Sequence, residues 1–481
     1  MPSHSELIKA DAVTLIGLLQ RGDVTPHDLL DALEARIAVV DVAVNALPTL
    51  CFDRARAHAE RLMRLPVSER GPLAGLPVPI KDLVAVEGVR TTQGSPIYAD
   101  HVPARSDILV QRLEANGGIV YAKSNTPEFG AGANTFNEVF GATRNPWNLA
   151  RSAAGSSGGA AAALASGTAW VAHGSDTGGS LRNPASFCGI VGMRPSIGRV
   201  ACNPAGKIDR TLGVQGPMAR NVEDLALLLD AMTGEHPADT RSLPALARPF
   251  RETMKQQPKP RRVAYSATLG ITPVDPQVAR LTRAAAERLA GEGIVVEDAH
   301  PDLAEVRECN HVLRAFDFCV TKAALLRTKR HLLKPEIIWN IEEGLKLTMA
   351  DIERAEAQRV ALAARMLAFF EKYDLLLTPA TIVAAFPVEQ RYVAECAGQK
   401  FDNYIEWLTI ASAITLTCCP ALSLPCGFTA EGLPVGLQIV APPRAEARVL
   451  AGAKLLEDLL GLTSSTPIEP RILAERKAKT A

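Results

Sequence analysis

Two serines set in glycine-rich turns, 24 residues apart, are the side chains of this sequence best suited to covalent chemistry. Ser156 lies in Ala154-Gly155-Ser156-Ser157-Gly158-Gly159, and Ser180 in Asp176-Thr177-Gly178-Gly179-Ser180-Leu181-Arg182. Glycine at such density costs backbone entropy and is placed where the chain turns sharply or comes close to a ligand. A serine hydroxyl becomes a nucleophile once a neighbouring base takes its proton. With a lysine upstream, the pair points to hydrolysis that needs no histidine.

Competing schemes fall away on spacing. No His-Glu-x-x-His occurs among the 9 histidines, which disfavours a zinc hydrolase. There is no GxxxxGK[ST] loop and no Ser-x-x-Lys, so P-loop chemistry and the penicillin-binding type of serine enzyme are disfavoured. Gly155-Ser156-Ser157-Gly158-Gly159 matches G-x-S-x-G with Ser157 as nucleophile. That motif needs a strand directly before it and a late histidine. Residues 145–151 read as a poor strand, and the last histidine is His331. Cys188, between Phe187 and Ile190, reads as a buried core thiol rather than a nucleophile. His173 lies in an apolar run and reads as a hydrogen-bonded core residue.

The elements around these residues alternate between helix and strand. Thr25, Pro26 and Asp28 form a capping-box-like start to a helix carrying Leu29, Leu30, Leu33, Ile37 and Val40 at helical spacing. The Pro- and Gly-rich segment 72–80 reads as an extended piece that delivers Lys81 and Asp82 to a functional tip. A helix is expected over 107–115, a strand over 118–122, a helix of small residues over 160–166 and a strand over 168–173. Asn221 caps a further helix. Beyond the linker-like QQPKPRR at 256–262 come a strand at 262–265, a helix at 276–290 and a strand at 294–297. A helical stretch over 304–373, broken near Lys334-Pro335, leads to a strand at 375–378. This order favours an α/β fold, with strands from both sides of the linker in one mixed central sheet of a single large domain spanning 1–481. Within it, 1–65 is an N-terminal helical segment, 70–240 the catalytic core, and 256–481 the variable substrate side together with the C-terminal part of the core.

Composition narrows the class. Hydrophobic residues make up 47% of the 481, enough for a large core, and the formal net charge is +0. Nothing global draws the chain to nucleic acid or to an anionic membrane. The 9 cysteines show no C-x-x-C pair, which fits free thiols in a reducing cytoplasm. The N-terminus lacks the pattern of a signal peptide. The uncharged stretch 407–430 is long enough to span a bilayer, but Pro420, Pro425 and its Ser and Thr residues favour a buried strand-loop-strand segment.

Several of these segments resemble the amidase signature family: GLPVPIKD at 75–82, the SSGG turn, GSDTGGSLRNPASFCGIVGMRP at 174–195, and in order KSNTPE, GATRNPWN, GPMARNVED and PALSLPCGFTAEGLPVGLQIV. The resemblance covers most of the chain. It implies the amidase signature fold and a Ser–cis-Ser–Lys triad, with Ser180 as nucleophile, Ser156 as the relaying serine after a cis peptide bond and Lys81 as general base and acid. A lysine serves as base only when neutral. Its ordinary pKa of about 10.4 falls by up to roughly 3–5 units on full burial, and Val78, Ile80, Leu83 and Val84 frame Lys81 with apolar surface. Backbone N–H groups of Thr177, Gly178, Gly179 and Ser180 are expected to converge on the developing oxyanion, with Ser157, Asp176 and Arg182 in support. Asp176 and Arg182 read as a structural ion pair, and Ser157 as a site hydrogen-bonder or a helix cap. Phe129 and Asn183 are candidate pocket residues, and the rest of the pocket is expected within 303–386. The sequence departs from the family at Ala154 and Ala160, where glycine and serine are common, and at Asn183, where an apolar residue is frequent. The implied activity is hydrolysis of a small carboxamide to an acid plus ammonia or amine. It needs no metal or organic cofactor, and its partner is a small-molecule amide rather than nucleic acid or membrane. The resemblance allows a homodimer. Its alternatives are the glutaminase subunit of a tRNA-dependent amidotransferase and, against the full triad, a binding protein with a dead site.

Overall fold

Strands from both sides of the Pro-rich 256–262 segment meet in one sheet. A computed structural model describes residues 2–203 and 212–472. Strands β1 (Pro77–Lys81) and β2 (Ile119–Ser124) pair in parallel and form a small sheet with Thr49–Leu50. The large sheet holds β3 (Val171–Asp176), β4 (Val191–Arg194), β5 (Val214–Ala219), β6 (Arg262–Tyr265), β7 (Val295–Asp298), β8 (Leu375–Pro379), β9 (Ala421–Phe428) and β10 (Pro434–Val440). Its order is β7-β6-β8-β10-β9-β4-β5-β3. β6 pairs in parallel with β7 and β8, and the remaining neighbours are antiparallel. β4, β8 and β10 are buried along their whole length, as strands are when helices cover both faces of a sheet. The molecule is therefore a single-domain α/β protein with a large mixed central sheet flanked by helices.

The expected local signals operate where they were read. Thr25 and Asp28 form a full capping box on helix Pro26–Val44, and the Asn221 side chain accepts the Asp224 N–H at 2.8 Å to open helix Val222–Met232. The stretch after 304 divides into helices Val306–Lys329, Pro335–Lys346 and Met349–Phe369, with Pro335 at a first turn, where a proline costs nothing. Every residue of helix Gly158–Ser166 is buried. A Cβ at Gly159 would stand 2.3 Å from the Asn125 nitrogen and 2.6 Å from the Ala46 oxygen, so only glycine lets this helix close against the small sheet.

Three expectations shift. The uncharged stretch is not strand-loop-strand: it forms helix Thr409–Leu416 and then β9. Its hydroxyls fit a helix because Ser412 and Thr415 donate back to the carbonyls of Leu408 and Ala411, at 3.0 and 3.4 Å, and a short apolar run carries no period that separates helix from strand. The strand expected at 168–173 starts at Val171, since the Thr168 N–H and hydroxyl close the end of helix Gly158–Ser166 on the Ala163 carbonyl. Residues Asn148–Ser152 do form a strand, but it pairs with Arg144–Asn145 in a two-stranded ribbon outside the large sheet, with one further bridge from Arg151 to Pro387. Among the described residues, no helix is long and apolar enough to cross a membrane.

Candidate active site

Lys81 is the last residue of β1, and its side chain is wholly buried. The strand end is pinned by the Lys81 backbone N–H, which donates to His173 Nδ1 on β3 at 3.2 Å. His173 Nε2 then lies 2.8 Å from Gln215 Oε1. Burial pushes His173 down to about 3, so the ring stays neutral and acts as a bridge between the two sheets. It is the hydrogen-bonded core histidine expected from its apolar surroundings.

The amine of Lys81 sits among three serine hydroxyls: Ser156 Oγ at 2.7 Å, Ser157 Oγ at 2.9 Å and Ser175 Oγ at 3.0 Å. Burial pushes its pKa down to about 7, while the charge of Asp176 pulls the other way. A neutral amine has two hydrogens and one lone pair, so one of three surrounding hydroxyls can turn its proton toward the nitrogen. Ser157 is already committed. Its hydroxyl lies 3.2 Å from the Ser175 carbonyl, to which it donates, and it accepts the Ser175 N–H at 3.3 Å. Ser156, the nearest of the three, follows a cis peptide bond from Gly155. Ser157 begins helix Gly158–Ser166 without a side-chain capping bond, so its hydroxyl belongs to the site.

The second turn is shaped by Asp176 at the end of β3. Its carboxylate accepts the Gly179 N–H at 2.9 Å, the Leu181 N–H at 3.1 Å, and Arg182 Nε and Nη2 at 3.0 and 2.9 Å. Arg194 Nη1 approaches to 3.4 Å. Burial opposes ionisation of this carboxyl, but the two guanidiniums outweigh it and hold Asp176 well below the usual carboxylate range. Gly179 takes φ +110°, and a Cβ there would meet the Ala411 methyl at 2.7 Å and the Asn183 amide oxygen at 2.5 Å. The Gly179 N–H is thus spent on Asp176, whereas the N–H groups of Thr177, Gly178 and Ser180 have no acceptor among the described residues. The two turns are joined by the Ser157 N–H, which donates to the Ser180 carbonyl at 3.2 Å.

Ser156, Ser180, Thr177 and Gly178 line a recess of about 60 Å³. Ser175, Thr177, Phe129 and Arg314 line both this recess and a neighbouring cavity of about 430 Å³. Phe129, at φ +49°, is therefore placed where a pocket residue was expected. Its loop is held by Glu128, which accepts from the Ser95 hydroxyl at 2.6 Å and the Lys334 N–H at 2.9 Å. Asn183 lines neither space. It lies behind the nucleophile turn against Gly179, its Nδ2 without a hydrogen-bond partner among the described residues. Cys188 is buried, and burial pushes its thiol up, so it is inert core. Sequence reasoning does not single out Ser175, Gln215, Arg194 or Arg314. Ser175 and Arg194 fall inside a quoted motif, but no spacing marks the other two. Among the described residues, no group of His, Cys, Asp and Glu is arranged to hold a metal ion.

Known proteins resemble this chain along most of its length. The family model for Amidase matches residues 28–450. A glutamyl-tRNA(Gln) amidotransferase subunit from Moorella thermoacetica is 36% identical over 479 residues, covering 94% of this chain and 97% of the relative. An acylamidase from Rhodococcus erythropolis is 33% identical, covering 96% and 98%. The crystal structure of a bacterial aryl acylamidase of the amidase signature family superposes with a TM-score of 0.87 at 25% identity, covering 95% of this chain and 99% of that one.

Proposed function

This chain belongs to the amidase signature family, and we propose from that premise that it hydrolyses a small carboxamide through an acyl-enzyme on Ser180. The observation that carries the reading is the buried Lys81 amine, 2.7 Å from Ser156 Oγ and poised near pH 7, beside a recess that also holds Ser180. Ser180 Oγ attacks the amide carbonyl carbon. Its proton passes to Ser156 as the Ser156 proton passes to Lys81. The developing oxyanion takes N–H donors from Thr177, Gly178 and Ser180. Gly179 is left out of that set because its N–H serves Asp176. A single donor of this kind is worth about 10²–10³ in rate. When the C–N bond breaks, the departing nitrogen receives a proton through Ser156, and water then releases the acid by the reverse relay.

A fluorophosphonate is expected to add one phosphonyl group, found on Ser180 by peptide mapping of the intact-mass adduct. An unlabelled chain, or an adduct on Ser157, removes the assignment. The pH dependence follows from Lys81. Only its neutral form accepts a proton, and burial has lowered its pKa to about 7. The value of kcat/KM should therefore rise from acid to mildly alkaline pH with a half-point near 7. A profile flat from about pH 5 to 9, with chemistry rate-limiting, would rule out this base.

A second reading rests on the relative from Moorella thermoacetica: the chain serves as the glutaminase subunit of a tRNA-dependent amidotransferase. The purified chain alone decides between them. Turnover of simple amides favours a free-standing amidase, and activity on glutamine only with partner subunits favours the other.

A further inference from the structure

Arg314, on helix Val306–Lys329, is a cation whose hydrogen-bond partners among the described residues are neutral, on the wall shared by the recess and the larger cavity. Its Nε donates to Asn340 Oδ1 at 3.1 Å and its Nη2 to the Tyr404 hydroxyl at 3.0 Å. The guanidinium carbon stands 5.0 Å from the Phe318 ring centroid and 5.7 Å from that of Tyr404. Asn340 is itself held by a bond from Nδ2 to the Glu336 carbonyl at 2.6 Å and by another to the Tyr404 hydroxyl. The side chain is therefore fixed in direction, while its Nη1 has no acceptor and no carboxylate lies within ion-pair distance among the described residues. Other arginines near the site each face a carboxylate: Arg182 and Arg194 share Asp176, Arg241 lies 3.8 Å from Asp239, and Arg391 lies 2.6 Å from Glu336.

A guanidinium is a permanent cation whose planar fork matches two carboxylate oxygens. A part-buried charge without a counter-ion costs free energy, and ring faces offset only part of it. Holding such a group at the mouth of a reaction recess is unfavourable unless the substrate completes the pair. The larger cavity is lined by charges of both signs, Asp107 and Asp317 with Lys322 and Arg241, and Arg314 is the cation that lines the reaction recess as well.

We propose that Arg314 orients the substrate, and that the preferred amides of this enzyme carry a carboxylate a few bonds from the scissile C–N bond. The inference rests on the amide-hydrolysis reading above and adds the substrate class. The test uses two pairs of amides matched in shape. Glutaric acid mono-4-nitroanilide and 5-methylhexanoic acid 4-nitroanilide place the charge, or its isostere, on the acyl side. N-acetyl-3-aminobenzoate and N-acetyl-3-isopropylaniline place it on the amine side.

For the unaltered chain, kcat/KM is expected to favour the acid by at least about tenfold in one pair, mostly through KM, and that pair identifies the side. Arg314→Gln should reduce the preference to within about threefold, and Arg314→Lys, which keeps the charge but loses the fork, should retain part of it. Equal or reversed preference in both pairs, or a preference untouched in both variants, overturns the proposal. If Arg314→Gln fails to fold, the Arg314→Lys ratio decides alone. If no amide is turned over, the amidase reading fails first, and Arg314 is then read by calorimetry of the two acids on Ser180→Ala. Binding weakened at least about tenfold by the second substitution supports the carboxylate site, and absent or unchanged binding refutes it.

Discussion

Lys81→Met is expected to lower kcat by about 10³–10⁴ while leaving the melting temperature within a few degrees of the unaltered chain. Methionine keeps most of the volume of the lysine stem in a site that has no exposure. It removes an amine whose charged form burial already disfavours, so the fold loses little. The hydroxyls are left with workable partners: Ser157 still donates to the Ser175 carbonyl at 3.2 Å and accepts the Ser175 N–H at 3.3 Å. What disappears is the acceptor for the Ser156 proton at 2.7 Å. Ser156→Ala should cost a similar amount, and the double variant little more than either, because groups that act as one relay are not additive. The residual rate of Lys81→Met should also lose its rise through pH 7. Two outcomes are fatal to the base role: residual activity above about a tenth of normal, or a collapse in melting temperature that accounts for the whole loss.

Much of this site is legible in the sequence because its parts lie in short contiguous motifs. Lys81 ends a five-residue strand, Ser156 and Ser157 stand directly before a helix, and Ser180 follows β3 by four residues. The oxyanion loop is legible only as a stretch of backbone. Which N–H groups are free depends on where the Asp176 carboxylate turns, and that is set by Arg182 and Arg194 from either side. The pairing of Asp176 with Arg182 is readable from six residues of separation, but Arg194 joins through the pairing of β4 with β5, which no local pattern announces. The pocket is the least legible part. Arg314 is an ordinary polar residue in an amphipathic helix until Asn340 and Tyr404, remote in sequence, fix its direction. Helix Thr409–Leu416 reads wrongly as strand because eight buried, uncharged residues carry no alternation to count.

Asp176→Asn is expected to destabilise the chain by about 3–5 kcal/mol, measured by denaturant unfolding, because it leaves buried cations without their anion. Arg182 and Arg194 are both buried with Asp176 between them. Arg182 keeps neutral acceptors in the Ala411 carbonyl at 2.8 Å, Gln438 Oε1 at 2.5 Å and Thr415 Oγ1 at 2.9 Å. Arg194 is less well supplied: among the described residues its Nε and Nη2 have no hydrogen-bond partner, and its Nη1 reaches only the Asp176 carboxylate and the Asp176 carbonyl at 2.8 Å. An asparagine amide would also turn a donor toward one guanidinium in place of an acceptor. The substitution preserves shape, so the loss reports charge rather than packing. The pH dependence has a definite sign. Asp176 in the fold is held below the ordinary 3.8 of an aspartate, first against burial and then by Arg182 and Arg194. Its stabilisation is therefore complete above that value and is lost as pH falls below it. Asp176→Asn should accordingly cost most near neutrality, and the gap to the unaltered chain should narrow below about pH 4. The same variant should lose turnover, since the Gly179 and Leu181 N–H groups lose the acceptor that holds the nucleophile turn. A change in stability under about 1 kcal/mol, or a gap that widens in acid, would show that the two arginines find their counter-charge elsewhere.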